Sequence, residues 1–225
     1  MVRRPRARLV VTGGEVVAPG QPKGEWDVYD ANSAMLRALV VRDGGEIEGH
    51  VRPGDDPARI AEAMTAPGAD VVLLSGGSSV GAEDHAPRLL AQAGELALHG
   101  VAMRPSSPAG MGRIGARLVF LLPGNPVSCL CAYDFFAGRA IRLLGGLGAD
   151  WPYRAVQAPL ARKIVSAVGR VDYCRVRLGE AGVEPLALSG ASILSTTTRA
   201  DGFVVVPGES EGFGAGALVT VHLYS

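Results

Sequence analysis

Five stretches of this chain set glycine turns beside polar or acidic side chains, and their order suggests what chemistry the protein could support. In Leu122-Pro123-Gly124-Asn125-Pro126-Val127-Ser128 a glycine turn precedes Asn-Pro and an apolar run. That order announces a helix N-terminus, with Asn125 as its cap and Pro126 in the first turn. Free backbone amides at such a start suit an anion such as phosphate; a well-capped helix without a ligand is the alternative. Ser75-Gly76-Gly77-Ser78-Ser79-Val80-Gly81 offers hydroxyls and amides for a second cradle of this kind. Glu15 stands just past Thr12-Gly13-Gly14, as either a ligand or a surface acid. Asp55 precedes Asp56-Pro57; Asp56 can cap the next helix, which leaves Asp55 free for another role or for none. Asp84, three residues beyond Gly81, is either a functional acid or the cap of the following helix.

These residues must be carried by elements whose periodicity is readable. Leu9 to Thr12, Glu46 to Val51, Asp70 to Ser75 and Arg117 to Leu122 read as strands, the last two continuously apolar. Helical spacing marks Asp30 to Arg42, with Ala34, Leu36, Leu39 and Val40 apolar, and Asp56 to Met64, with Ile60, Ala61 and Met64 as the stripe. Further helices are expected from His85 to Ala93 and from Pro126 to Leu144, with short strands between Glu95 and Leu122. Strands alternating with helices imply a mostly parallel sheet covered on both faces. Ligands of such sheets bind beyond the strand carboxyl ends, where the loops at Gly13, Asp55, Gly76 and Gly124 would gather. Gly145 to Asp150 reads as a linker. Beyond it, β-type runs such as Val171 to Leu178, Phe203 to Val206 and Leu218 to Leu223 indicate a small β-rich domain.

With 225 residues, 48% of them hydrophobic, the chain can build a core without disulfide or metal staples. Its formal net charge of zero gives no field for nucleic acid or an anionic membrane, so any anionic ligand must be held locally. The basic run from Arg3 to Arg8 is expected to be a solvated lead-in to the first strand. No apolar run reaches membrane-span length and the first residues lack a signal-peptide core, so the cytoplasm is the expected address. Cys129, Cys131 and Cys174 read as buried reduced thiols, and neither they nor the four histidines show ligand spacing for a transition metal.

Taken in order, Thr12-Gly13-x-Glu15, Tyr29-Asp30-x-Asn32-Ser33, Asp55-Asp56-Pro57, Ser75-Gly76-Gly77-x-Ser79-Val80-Gly81-x-x-Asp84 and Pro123-Gly124-Asn125-Pro126-Val127-Ser128 closely resemble the molybdopterin molybdenumtransferase family. That family includes the bacterial MoeA proteins and the E domain of gephyrin. The resemblance runs from Arg4 to residue 146 and continues more weakly through Gly190-Ala191-Ser192 and Ser195. It implies a three-layer α/β/α domain over residues 1–146 that binds molybdopterin, followed by a small β-barrel domain over 147–225. The implied reaction takes adenylylated molybdopterin and molybdate and releases AMP with magnesium. Asp55, Asp84 and Glu15 match the family's functional acids, with Asp55 and Asp84 suited to the metal. Thr12, Gly13, Asn32, the Ser75 to Gly81 loop, Pro123, Gly124, Asn125, Pro126 and Ser128 would form the substrate pocket.

The chain departs from the family pattern at several positions. Gly14 replaces an aspartate often found there, and Gly100, Arg104 and Ser107 stand in the region of the family's lysines. Arg104 keeps one positive charge that can hold an oxyanion, with Ser106, Ser107 or Ser192 as further donors. Family members carry roughly half their length upstream, in domains that build the dimer, whereas Met1 here lies a few residues before the first strand. The expectation is therefore a fragment or a short homologue, acting as a homodimer or with a separate partner for that half, or a non-catalytic molybdopterin-binding module.

Overall fold

Strands Arg6–Val11, Val71–Ser75 and Arg117–Leu122 bury side chains on both faces, and in the computed structural model they form the centre of a six-stranded sheet. The structure describes residues 2–77, 85–188, 190 and 192–224. Across this sheet the order is Glu46–Val51, Arg6–Val11, Val71–Ser75, Arg117–Leu122, Gly110–Ile114 and Glu95–His99. Its first four strands are parallel, and the last two add as an antiparallel edge.

Strand alternation divides the side chains between two cores. Ala7, Leu9, Val71, Leu73, Phe120 and Leu122 face one side, where they pack with Leu36 and Val40 of helix Asn32–Arg42 and with Cys129, Tyr133 and Ile141. Val10, Val72, Leu74, Val119 and Leu121 face the other, against Ile60 and Met64 of helix Pro57–Thr65 and Leu89 and Leu90 of helix Ala86–Ala93. Each fully buried leucine contributes about 1.5–3 kcal/mol, so these two apolar layers dominate the stability of this part. The helical run after Asn125 comprises α-helices Pro126–Ala132 and Gly138–Leu144 around a π-helical turn at Tyr133–Ala137. Asp134 of that turn and Asp43 are both buried: Arg42 donates to both, and the Tyr133 hydroxyl donates to Asp43 at 2.9 Å.

The basic lead-in is not simply solvated. Arg3 does remain exposed, paired with Asp70, but Arg8 is buried. Its guanidinium donates to both oxygens of Glu48, at 2.9 and 2.7 Å, and to the carbonyls of Ala63, Ala66 and Pro67. Strand alternation explains this, because Arg8 shares the face of Val10 and so points at the C-terminal end of helix Pro57–Thr65, where carbonyls need donors. The glycine-rich stretch 145–150 lies along the preceding helix, with its Gly148 and Ala149 carbonyls accepting from Arg142 and Arg139. All three cysteines are buried and reduced, as expected.

The chain divides into two compact units, residues 1–101 with 108–151, and residues 102–107 with 152–225. In the second, antiparallel strands run in the order Arg154–Pro159, Leu218–Leu223, Gly202–Val206, Val171–Gly179 and Gly182–Ala187, and Met103–Arg104 adds beside Val171–Gly179. Cys174, Val176, Val204, Val206, Val219 and Val221 form its apolar core. The outer strands are joined by the isolated bridge Leu160–Val183; among the described residues no ladder closes them into the expected barrel. Among the described residues no helix is long and apolar enough to cross a membrane.

Candidate functional site

The four parallel strands deliver Thr12-Gly13, Asp55, Ser75-Gly76-Gly77 and Pro123-Gly124 to one edge of the first unit's sheet. The ladder extends slightly past the strands: the Thr12 amide donates to Ser75 at 3.0 Å, and the Gly76 amide donates to Leu122 at 3.0 Å. Gly76 is required here twice over. Its φ is +95°, and a Cβ would lie 2.7 Å from Thr12 Oγ1 and 2.9 Å from the Thr12 carbonyl oxygen. On its other side, a Cβ at Gly124 would lie 3.4 Å from the Gly76 Cα. The three turns thus pack backbone against backbone.

Asn32, at the start of its helix, ties two of these turns together. Its Nδ2 donates to Ser75 Oγ at 2.8 Å and to the Gly124 carbonyl at 2.7 Å. The Gly124 carbonyl is acceptor-only, which fixes the orientation of the carboxamide. Oδ1 is then buried with no hydrogen-bond partner among the described residues. Two bonds of about 1 kcal/mol each are offset by about 1–3 kcal/mol for the orphaned acceptor, so the bridge adds almost nothing to stability. Ser75 Oγ continues to Cys129 Sγ at 3.7 Å, and burial pushes the Cys129 thiol up to about 12.

Two carboxylates lie along the neighbouring glycines. Asp55 Oδ2 accepts the Gly14 amide at 2.6 Å, and a Cβ on Gly14 would come within 3.0 Å of that same oxygen. Glu15 Oε2 lies 2.8 Å from where a Gly13 Cβ would stand. The glycine at position 14 therefore leaves its turn open to Asp55. Asp56 caps its helix by accepting the Ala58 amide at 2.9 Å. Ser79, Gly81 and Asp84 lie outside the described residues. Among the described residues no three acidic, histidine or cysteine side chains converge in a metal-ligand cluster.

A second polar group near Asn32 was not signalled by local sequence. Buried Asp30 accepts from the Ser33 amide at 2.9 Å, from Ser33 Oγ and from Arg52 at 3.3 Å, while His50 Nε2 lies 2.7 Å from Ser33 Oγ and 3.5 Å from Asp30. This is no nucleophilic triad, since serine and aspartate meet the same ring nitrogen, whereas a triad acid holds the opposite one. Burial lowers the pKa of His50 and Asp30 opposes that shift. The group instead anchors the N-terminus of helix Asn32–Arg42 to the sheet edge. Only the Asp30-x-Asn32-Ser33 half of it was legible, because His50 and Arg52 arrive from the adjacent strand.

The family model described as "Probable molybdopterin binding domain" matches residues 8–142, and the model of the MoeA C-terminal region (domain IV) matches residues 157–224. The chain belongs to the molybdopterin molybdenumtransferase family. A molybdopterin biosynthesis protein of Methanocaldococcus jannaschii is 31% identical over 87% of this chain and 47% of its own length. Molybdopterin molybdenumtransferase 1 of Mycobacterium tuberculosis is 34% identical over 97% of this chain and 54% of its own. A solved MoeA protein from Pyrococcus horikoshii superposes with a TM-score of 0.80 at 29% identity, over 99% of this chain and 55% of that one. The chain thus spans about half the length of the curated relatives it matches.

The remaining positions singled out by the family resemblance take varied places. Pro123 and Ser128 are buried, and Pro126 opens its helix. Asn125 has extended backbone and makes no side-chain cap bond, contrary to the expected capping role. Pro126 has no amide hydrogen, so the first turn already has one fewer donor to satisfy. Arg104 belongs to the second unit, where its guanidinium donates to buried Asp172; Asp172 also accepts from Ser166 at 2.7 Å and Arg170 at 3.1 Å. Ser107 and Ser192 are exposed in the same unit.

Proposed function

We propose that the first unit binds molybdopterin at the carboxyl edge of its parallel sheet, and that the chain acts in molybdenum cofactor synthesis by taking adenylylated molybdopterin and molybdate and releasing AMP. One observation above all supports this reading: the turns at Thr12-Gly13, Ser75-Gly76 and Pro123-Gly124 pack backbone on backbone at that edge, within the part of the chain that matches the molybdopterin-binding model. Backbone amides at a strand-to-helix turn hold oxyanion groups without needing net positive charge on the protein.

Magnesium fits the donor set. Asp55 and Glu15 bring carboxylate oxygens to adjacent glycines, and this cation is commonly held by one or two carboxylates together with substrate phosphate oxygens. Asp55 and Glu15 would hold it, together with Asp84. When bound, the cation would neutralise charge on the phosphoanhydride. The protein's own part is positional: Gly13, Gly76 and Gly124 permit close backbone approach, Thr12 and Ser75 fix the turns, and Asp55 keeps the Gly13-Gly14 turn in place. A barrel-like second unit is proposed on the bridge between Leu160 and Val183. Self-association, or pairing with a separate chain supplying the other half of its relatives' length, belongs to the same proposal.

A second reading, binding without turnover, is favoured by one fact: Arg104, the cation standing in the region of the family's lysines, is engaged by buried Asp172. The deciding experiment incubates the chain with adenylylated molybdopterin, molybdate and magnesium and measures AMP, alongside calorimetric titration with molybdopterin. AMP above the no-enzyme control supports the transferase; binding without AMP supports the second reading; the absence of both refutes the two together.

A further inference from the structure

Asn32 spends both hydrogens of its carboxamide inside the protein, on Ser75 Oγ and on the Gly124 carbonyl, 43 and 92 residues away. The partners belong to two different turns of the sheet edge, and each turn also holds its neighbour through backbone, Gly76 N to Leu122 O on one side and Thr12 N to Ser75 O on the other. Asn32 is buried, and its Oδ1 has no partner among the described residues. A side chain that leaves a buried acceptor unanswered gains little net stability from its two bonds, so what it supplies is geometry. A near-isosteric leucine would fill the same space with no orphaned acceptor, but could not hold the Gly124 carbonyl.

We infer that Asn32 is a positioning residue whose carboxamide sets the separation of the Ser75–Gly77 and Pro123–Asn125 turns, and with it the width of the edge that receives the ligand's oxyanion groups. The residue does not itself touch the ligand. Ser75 Oγ is one leg of the bridge, at 2.8 Å, and the Gly124 carbonyl the other, at 2.7 Å. Helix Asn32–Arg42 is rooted independently of this bridge, since Asp30 accepts from the Ser33 amide and Ser33 meets His50. Losing the bridge therefore loosens the turns and leaves the helix in place. The ligand part of this inference rests on the molybdopterin reading above, whereas the structural part does not.

The test measures amide hydrogen exchange on the ligand-free chain, with Asn32→Leu to remove both legs and Ser75→Ala to remove the Ser75 leg. Exchange at Gly76 and Thr12 should accelerate about tenfold or more in Asn32→Leu, and less in Ser75→Ala, while Leu73 and Phe120 in the strand interiors change little. The thermal midpoint should stay close to that of the parent, and the dissociation constant for molybdopterin should rise about tenfold or more. Unchanged exchange at Gly76 and Thr12 in both variants would overturn the inference. So would uniform acceleration across the sheet with a matching fall in midpoint, which is the signature of a merely structural residue. If Asn32→Leu does not fold, Ser75→Ala alone decides by the same exchange readout. If the parent chain binds no molybdopterin, the proposed function fails while the exchange arm still decides the role of Asn32.

Discussion

Cys129 and Cys174 are buried, and burial pushes both thiols up to about 12 because the thiolate would lose its hydration. Since the thiolate is the reactive form, the folded chain should not react with a disulfide reagent at pH 8, whereas all three thiols, Cys131 included, should react in denaturant. A fast-reacting thiol in the native state would contradict this burial. Asp55 is exposed, and its one visible task is to accept the Gly14 amide at 2.6 Å. Replacing it by alanine should cost about 1 kcal/mol of stability, read by urea unfolding, yet abolish any magnesium dependence of ligand binding. At this scale the sequence was informative about Glu15, Asp55 and Gly76, because a glycine turn next to a carboxylate is a local pattern. It misread Arg8 as solvated and was silent about the Asn32 bridge, because the partners of both lie tens of residues away.

Single elements here depend on side chains sent from other elements. Helix Pro57–Thr65 starts with a cap visible in sequence, Asp56 before Pro57, but its C-terminal end is finished by Arg8 from the first strand. Replacing Arg8 with leucine removes the partner of Glu48 and leaves the Ala66 and Pro67 carbonyls short of a donor. The expected loss is about 3 kcal/mol, seen as a lower urea midpoint with unchanged slope. Gly76→Ala meets Thr12 on one side and needs φ near +95° on the other. It should cost about 1–3 kcal/mol, and weaken ligand binding because the turn must shift away from Thr12. Helix spans were legible from period at Asn32–Arg42 and from period and cap at Pro57–Thr65. The π-helical turn at Tyr133–Ala137 was not, since its setting includes Arg42 reaching Asp134 and the Trp151 indole donating to the Asp134 carbonyl at 2.7 Å.

Across the molecule, acid stability is set by carboxylates that arginines hold ionised. Hydrogen bonds from Arg8 lower the pKa of Glu48, and hydrogen bonds from Arg3 lower that of Asp70. A lowered folded-state pKa stabilises the fold above the unfolded-state value and is lost as pH falls through the folded one. Unfolding free energy should therefore hold from neutrality to about pH 5 and decline below it, with a shallower acid limb in Arg8→Leu. The exposed Arg3 pair should contribute little and weaken with salt. Chain connectivity makes a further prediction. Residues 102–107 belong to the second unit and pair there with Val171–Asp172. A chain ending at Trp151 should accordingly expose that segment to protease while keeping the six-stranded sheet, as read by limited digestion and circular dichroism. The sequence by itself determined the alternation of strands and helices and the five ordered motifs, because periodicity, capping and glycine turns are encoded within a few residues. Only the tertiary structure decided that Arg8 is buried, that Arg104 is engaged by Asp172, that Asn125 does not cap and that Asn32 bridges two turns. The Arg8, Arg104 and Asn32 contacts join residues 40 to 92 apart in the chain, and such pairing leaves no local pattern to read.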